Sequence, residues 1–353
     1  MLVRAVMRAT ATRARPDQTR AQESSMSREL HTVLVAGGAG FLGTHLCGRL
    51  LDSGASVLCV DDLSTSLPGA ESMWDGRAGY RFLRHDITRP LPDEVHRARF
   101  DTIFNLASPA SPVDYLRLPL ETLRVGALGT AALLELAEQH GARLVLASTS
   151  EVYGDPLQHP QSETYWGNVN PIGPRSVYDE AKRFAEALTF AHHRVHDVDV
   201  GVARIFNTYG PGMRVDDGRM VPTFCRQAIL GEPVTVAGDG TQTRSLCFVD
   251  DTVGALVALG RAECAGPVNI GNPQELTVLQ AAHLIRELAG SASPIVHTAA
   301  VTDDPKRRCP DIDTARDQLH WAPAVAHVVG LAATVAWFRA ELMAVPDIAT
   351  TEV

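Results

Sequence analysis

The sequence predicts an α/β fold built on a doubly wound parallel sheet, with a smaller lobe towards the C-terminus. Three observations lead there. From His31 a buried-strand run, a glycine cluster and a helical pattern follow one another directly. Strand and helix then alternate as far as Phe206, the rhythm of parallel strands joined by helical crossovers. Beyond Phe206 the chain loosens into short strands, Gly turns and isolated arginines. The expected partition is an N-terminal extension over 1–28, a main unit over 29–206, a second lobe over 207–340 and a flexible tail over 341–353.

The elements can be taken in order. HTVLVA (His31 to Ala36) reads as a buried strand, and GGAGFLG follows at once, with Gly37, Gly40 and Gly43 at three-residue spacing. A helical pattern runs through Leu46, Leu50 and Leu51 to Gly54, and a second strand from Ser56 to Val60 ends in Asp61 and Asp62. In that context the glycines permit a tight turn and close approach of a pyrophosphate, which the helix N-terminus attracts. Gly37, Gly40, Phe41, Leu42 and Gly43 are therefore expected at a dinucleotide. Asp61 and Asp62 are placed at its adenosine ribose, where a carboxylate accepts from both hydroxyls and repels a 2'-phosphate. NAD is thus favoured over NADP. A short strand from Tyr80 to Leu83 leads to Asp86 and Ile87 near the adenine, and Asp101 to Leu106 delivers Leu106, Ala107 and Ser108 to the cofactor. A helix from about Pro119 to His140, a strand from Leu144 to Ala147, a helix from Val177 to about His196 and a strand from Val200 to Phe206 complete the unit.

Thr149 to Lys182 carries the chemistry. It opens on Thr149, Ser150 and Glu151 at the end of a strand and closes on Tyr178 and Lys182, spaced i, i+4 on a helix. That spacing sets phenol and ammonium one turn apart on one face. A lysine there is expected to favour the phenolate, as a base acting on a sugar hydroxyl requires. The intervening stretch is rich in Pro, Gly and Asn without periodicity, and a loop of that length in a compact domain is usually functional. Its Trp166 is either a packing anchor or a ligand.

Composition narrows the alternatives. The 353 residues suffice for a full core, and a net charge of -9 gives no general reason to expect nucleic acid or an anionic membrane. No apolar run approaches the roughly 20 residues needed to cross a bilayer. Six scattered cysteines, with no CxxC pair and no histidine cluster at ligand spacing, suggest reduced thiols in a cytoplasmic protein and no metal. Residues 1–28, rich in Arg, Ala, Thr and Ser, lack the apolar core of a secretory signal. They are expected to be a disordered tail, or to precede a true start at Met26.

With the glycine fingerprint, Thr149 and YDEAK in this order, the chain resembles the extended short-chain dehydrogenase/reductase superfamily of nucleotide-sugar enzymes, a Rossmann-like fold, over about residues 31 to 335. ASTSEVYGDP (Ala147 to Pro156), HPQSETYWGNVNPIGPRSVYDEAKR (His159 to Arg183) and ARIFNTYGPGM (Ala203 to Met213) are similar to the UDP-glucuronate decarboxylases within it. The resemblance implies bound NAD, a nucleotide-sugar site in the 207–340 lobe, and a homodimer whose two long helices pair with their mates in a four-helix bundle. It also implies roles. Tyr178 would take a proton from the sugar's 4-hydroxyl, with Lys182 holding the nicotinamide ribose and Thr149 bonding the same sugar oxygen. Glu151 and Arg308 match acid/base and carboxylate-handling positions, and Arg307 is left at the surface. Asn207, Val221, Thr235 and Arg244 would surround the uracil and diphosphate, with Tyr115 and Ser150 near the sugar. Ser150 stands where the related dehydratases carry an Asp that protonates a leaving hydroxyl, and Glu151 supplies a carboxylate that the 4-epimerases generally lack. Decarboxylation fits best; a 4-epimerase and a non-catalytic NAD sensor are the alternatives. One departure is Gly126, at a position where the superfamily usually has a buried Asn that braces the active-site helix.

Overall fold

The computed structural model describes residues 28–299 and 307–344. The expected extension other than Arg28, and the expected tail beyond residue 344, lie outside these residues. So does the stretch 300–306, which enters the KRR run before Arg307.

Seven parallel strands form the central sheet. β1 (Thr32–Ala36), β2 (Ser56–Asp61), β3 (Tyr80–Arg84), β4 (Thr102–Asn105), β5 (Arg143–Thr149) and β6 (Val200–Ile205) are joined by β11 (Val268–Ile270), in the order β11-β6-β5-β4-β1-β2-β3. Strand side chains point alternately to the two faces. Val33 and Val35 of β1 therefore enter one core with Val57, Cys59 and Phe104, while Leu34 and Ala36 enter the other with Leu58, Val60 and Ile103. The strands are buried on both faces, which is why they read as continuous apolar runs. Helices α1 (Phe41–Asp52), α2 (Pro119–Arg124), α3 (Thr130–His140) and α4 (Ser176–His196) cross between them.

In the second lobe, β7 (Thr208–Tyr209) pairs with β10 (Cys247–Phe248), β8 (Val234–Ala237) with β13 (Ile295–Thr298), and β9 (Thr243–Ser245) with β12 (Glu275–Thr277). Helices α5 (Met220–Leu230), α6 (Val249–Arg261), α7 (Val278–Leu288) and α8 (His327–Ala344) complete it. The boundary expected at residue 207 is crossed in both directions. β11 extends the main sheet beside β6, and Phe224, Val234, Ile285 and Phe338 share one apolar core with Val33 and Val35. Burying one face of the sheet under the lobe makes a single continuous core, and this fixes the lobe over the strand ends. Residues 341–344, expected in the tail, are the last turn of α8. Arg28, expected in the extension, pairs with Asp199 at 2.6 Å. Among the described residues no helix is long and apolar enough to cross a membrane.

The helix expected over 119–140 is interrupted. Val125–Gly129 forms a π-helical turn between α2 and α3, a feature often found beside functional sites. A Cβ built on Gly126 would lie 2.9 Å from both the Cβ and the carbonyl oxygen of Ala181 in α4. The missing Asn therefore leaves no gap, because the two helices have closed onto each other. Forcing a side chain between packed backbones costs about 1–3 kcal/mol. Gly126→Asn is expected to lower the unfolding free energy measured in urea by that amount, and a variant as stable as the parent would show that the helices separate freely.

Candidate active site

The strand order reverses between β4 and β1, where doubly wound sheets bind ligands at the carboxyl ends of their strands. A cleft of 490 Å³ opens there, lined by Gly37, Gly40, Asp61, Asp62, Asp86, Ile87, Leu106, Ala107 and Ser108, nine of the residues expected at the dinucleotide, while Tyr178 and Lys182 are not among its walls. Gly37 has φ +76°, and a Cβ on it would stand 2.7 Å from the amide nitrogen of Ala107. A Cβ on Gly43 would stand 2.1 Å from the carbonyl oxygen of Gly37. Both positions need glycine for close backbone approach, and the cradle they form suits a pyrophosphate at the N-terminus of α1. Phe41, Leu42 and Gly43 are in the first turn of α1 and not among the cleft walls. Asp61 accepts from the amides of Ala39 (3.0 Å) and Leu63 (2.8 Å) and from the hydroxyl of Ser66 (3.2 Å), which aims its carboxylate. Burial raises its pKa in spite of those bonds. Thr65, Ser66, Thr88, Arg89, Arg124 and Leu128 also line the cleft. The small hydroxyls directly after Asp62 were the one sign of them in the sequence.

At the end of β5 the chain turns through a 3-10 segment, Ser150–Tyr153, capped by the Thr149 hydroxyl, which accepts from the Glu151 amide at 3.2 Å. This turn places Thr149, Ser150 and Glu151 beside the first turn of α4, which carries Tyr178. Tyr115 stacks on the Tyr178 ring with centroids 5.2 Å apart and planes 10° from parallel. Burial, followed by the charge of Glu151, pushes the Tyr178 phenol well above its ordinary value, while the Thr149 hydroxyl and the charge of Arg219 pull it back. The Lys182 ammonium, expected to lower the phenol, is 5.8 Å from the ring centroid and donates to the Ala147 carbonyl at 2.9 Å. Burial lowers Lys182 to about 8, against the opposing charge of Glu186.

Glu151 is the centre of an ionic cluster. Its carboxylate accepts from both terminal nitrogens of Arg308 and, at 2.7 Å, from Arg175. Burial alone would raise it, but Arg308 first and then Arg175 bring it down to about 2. Arg308 is 3% exposed and also reaches the Ser150 hydroxyl at 3.4 Å, whereas Arg307 is exposed, as expected. Asp179, next to Tyr178, is 6% exposed, and one of its oxygens finds no hydrogen-bond partner among the described residues. Burial and then Glu151 push it up to about 7.

Sequence reasoning therefore anticipated Thr149, Ser150, Glu151, Tyr178, Lys182, Tyr115 and Arg308 as one group, and the fold brings them together. It missed Arg175, Asp179 and Arg219, which act on Tyr178 or Glu151 from the first turn of α4 and from the residues just before α4 and α5. Arg175 and Asp179 sat unassigned inside the quoted stretch. Arg219, held by Asp217 at 2.5 and 2.6 Å, gave no sequence signal. The remaining expected ligands belong to the lobe. The Asn207 carbonyl accepts from Cys247 at 2.9 Å, Val221 is buried in α5, and Arg244 donates to the Thr243 carbonyl at 2.8 Å. Thr235 has its amide and hydroxyl engaged by Gln227. Trp166 is 89% exposed and so is not a packing anchor; its carbonyl accepts from Arg183.

Removing one partner of a buried ion pair costs about 3–5 kcal/mol because the other charge is stranded. Glu151→Gln is expected to lose about that much in urea unfolding, and adding Arg308→Met should recover part of it. An unchanged midpoint for Glu151→Gln would mean that the cluster does not hold the fold.

Comparison with known proteins agrees with this geometry. UDP-glucuronic acid decarboxylase 1 of Xenopus tropicalis is 48% identical over 310 residues, 88% of this chain and 72% of the relative. UDP-glucuronic acid decarboxylase 5 of Arabidopsis thaliana is 44% identical over 334 residues, 94% of this chain and 96% of the relative. Among solved structures, the UDP-glucuronic acid 4-epimerase of Bacillus cereus, in complex with UDP-glucuronic acid and NAD, superposes with a TM-score of 0.79 at 26% identity over 88% of this chain and 99% of its own. The UDP-glucose 4-epimerase of Thermotoga maritima, with UDP-glucose, gives 0.81 at 28% identity with the same two coverages. Residues 33–271, from the first strand through β11, match one family across both the cradle and the Thr149–Tyr178–Lys182 group, and this chain belongs to the NAD dependent epimerase/dehydratase family.

Proposed function

We propose that this protein is an NAD-dependent decarboxylase of UDP-glucuronate that forms UDP-xylose. The observation that carries the reading is the Arg308–Glu151–Arg175 cluster beside Tyr178. Two guanidiniums and one carboxylate leave a net positive charge where a sugar carboxylate would lie, and arginine forks suit carboxylates. The relatives named as UDP-glucuronic acid decarboxylases support the substrate. Ser150, in place of an acid, supports loss of carbon dioxide over loss of water.

The steps follow from chemistry at known atoms. Oxidised NAD, when bound in the Gly37–Asp61 cleft, supplies a hydride acceptor and a positively charged nicotinamide. Tyr178 accepts the proton of the 4-hydroxyl as carbon 4 is oxidised, and Thr149 hydrogen-bonds the same oxygen. Before this, the phenol must ionise against its burial, and Thr149 and Arg219 are the groups that assist it. The 4-ketone is β to the carboxylate, so the bond to carbon dioxide breaks with its electrons passing into an enolate. Carbon 5 of the enolate takes a proton from solvent water, and carbon 4 takes back its hydride as Tyr178 returns its proton to the 4-oxygen, giving the pentose. Held ionised by Arg308 and Arg175, Glu151 serves as the anchor of the two guanidiniums. We keep Arg308, Tyr115, Ser150, Asn207, Val221, Thr235 and Arg244 as the substrate contacts, Thr235 through whatever its Gln227 bonds leave open.

The exposed Leu120 and Leu123 of α2 and Phe184 of α4 support pairing of two copies through these helices as a four-helix bundle. Six free thiols, five of them buried, agree with a cytoplasmic location.

Mass spectrometry of the sugar nucleotide after incubation with UDP-glucuronate is the direct test. The product should be lighter by one carbon dioxide; a product lighter by a further two hydrogens would mean release of the 4-keto pentose. An unchanged mass with altered chromatography would indicate epimerisation and overturn the proposal. Tyr178→Phe should lower turnover by about 10²–10⁴-fold. Lys182 is fully charged only below about 8, so kcat should fall as pH rises through that value. The fall should be absent from the residual activity of Lys182→Met.

A further inference from the structure

We propose that His159, Glu275 and Cys309 form a site for a divalent cation of the zinc class. One nitrogen, one carboxylate oxygen and the sulfur of these residues all lie within 4.8 Å of one another. Imidazole, carboxylate and thiolate are the donors zinc prefers, with water completing a tetrahedral shell. The three residues come from separate parts of the chain: the loop after Tyr153, the first residue of β12, and the segment that follows Arg308. Their spacing in sequence gave no sign of a cluster, and only the packing of lobe on loop assembles it.

The side chains are already held in ligand-like poses. His159 Nε2 stands 3.1 Å from Glu275 Oε2. The other oxygen of Glu275 accepts from the Thr243 hydroxyl, so the carboxylate turns its second oxygen towards the imidazole. Outer hydrogen bonds of this kind orient metal ligands and tune their affinity. Gln161 holds the Cys309 peptide on both sides, accepting from its amide at 2.9 Å and donating to its carbonyl at 2.8 Å. The Cys309 sulfur is buried and 3.4 Å from the Pro273 carbonyl. The His159 and Glu275 side chains are 31% and 24% exposed, which leaves an ion a path from solvent to the sulfur.

The location gives the site a consequence. Cys309 directly follows Arg308, and Thr243 directly precedes Arg244, so a cation there ties the long loop to both stretches that carry these arginines. Binding would restrict their movement without touching the cofactor cleft.

The test is a Co²⁺ titration of the untagged full-length protein without substrate, with Zn²⁺ as competitor. Expected are one Co²⁺ per chain, a thiolate-to-cobalt absorption in the near ultraviolet, and its displacement by Zn²⁺. Cys309→Ala should abolish the absorption, and His159→Ala, at a partly exposed position, should weaken Co²⁺ binding by at least about tenfold. Cys264→Ala, which removes the one thiol that is not buried, should change neither. No absorption in the wild type, or absorption that survives Cys309→Ala with the far-ultraviolet spectrum intact, would overturn the proposal. The readout is independent of turnover, so failure here leaves the decarboxylase reading as it stands.

Discussion

The bonds between Glu151 and its two arginines tie together three parts of the chain that are far apart in sequence. Arg175 comes from the turn just before α4 and Arg308 from the far end of the chain, yet both donate to one carboxylate at the end of β5. Three largely buried charges would each cost several kcal/mol if left alone, and only mutual pairing makes their burial tolerable. The cluster therefore fixes where α4 begins, where the 307–310 segment crosses, and how the lobe closes over the strand ends. It also leaves a surplus positive charge beside Tyr178, contributed by the same side chains that tie these segments together.

Beneath the cluster a second polar network holds the long loop without help from regular structure. Arg204 of β6 donates to both oxygens of Glu186 (2.9 and 2.7 Å) and to the Tyr153 hydroxyl (3.0 Å). The Tyr153 hydroxyl donates to the side-chain carbonyl of Asn269 in β11 at 2.8 Å. Asn269 in turn donates to the carbonyls of Gln161 and Asp311 at 2.9 and 3.0 Å. A buried polar network is costly when half satisfied and rigid when complete. Here it is complete at the point where the loop meets the lobe. Gly154, with φ +64°, lets the loop double back, since a Cβ there would lie 2.0 Å from the carbonyl oxygen of Asn168.

Much of the fold was legible because its signals are local. Strands buried on both faces appear as apolar runs, and a glycine triplet between strand and helix reports close backbone approach. Tyr178 and Lys182 were legible because one helical turn brings them together. What could not be read depended on distant convergence. β11 is only three residues long and belongs to the main sheet because β6 offers it an edge, which nothing in VNI announces. Arg175 and Arg219 look like surface residues in sequence and become site residues only when Glu151 and Tyr178 arrive beside them. The pose of Lys182 depends on such convergence too. Spacing gives the face of a helix, while the Ala147 carbonyl decides where the ammonium points.

Gly126, where the resemblance implies an asparagine, brings two helices into direct contact. A buried asparagine would hold the active-site helix through hydrogen bonds, and each of its polar groups would have to be satisfied or would cost about 1–3 kcal/mol. This chain removes the side chain and lets the π-helical turn approach Ala181, so that α4 is located by direct contact with a neighbouring backbone. Close packing resists displacement in a way that a single hydrogen bond does not, because any shift brings atoms into overlap. Ala181 lies three residues after Tyr178 and one before Lys182, so the contact fixes the height and rotation of the turn that carries both. Tyr115, stacked on Tyr178 from the other side, completes the constraint. The Tyr178 phenol is thus placed by shape, while its charge state is governed first by burial and then by Glu151, Thr149 and Arg219. Position and acidity are set by different residues, which leaves each open to change without loss of the other.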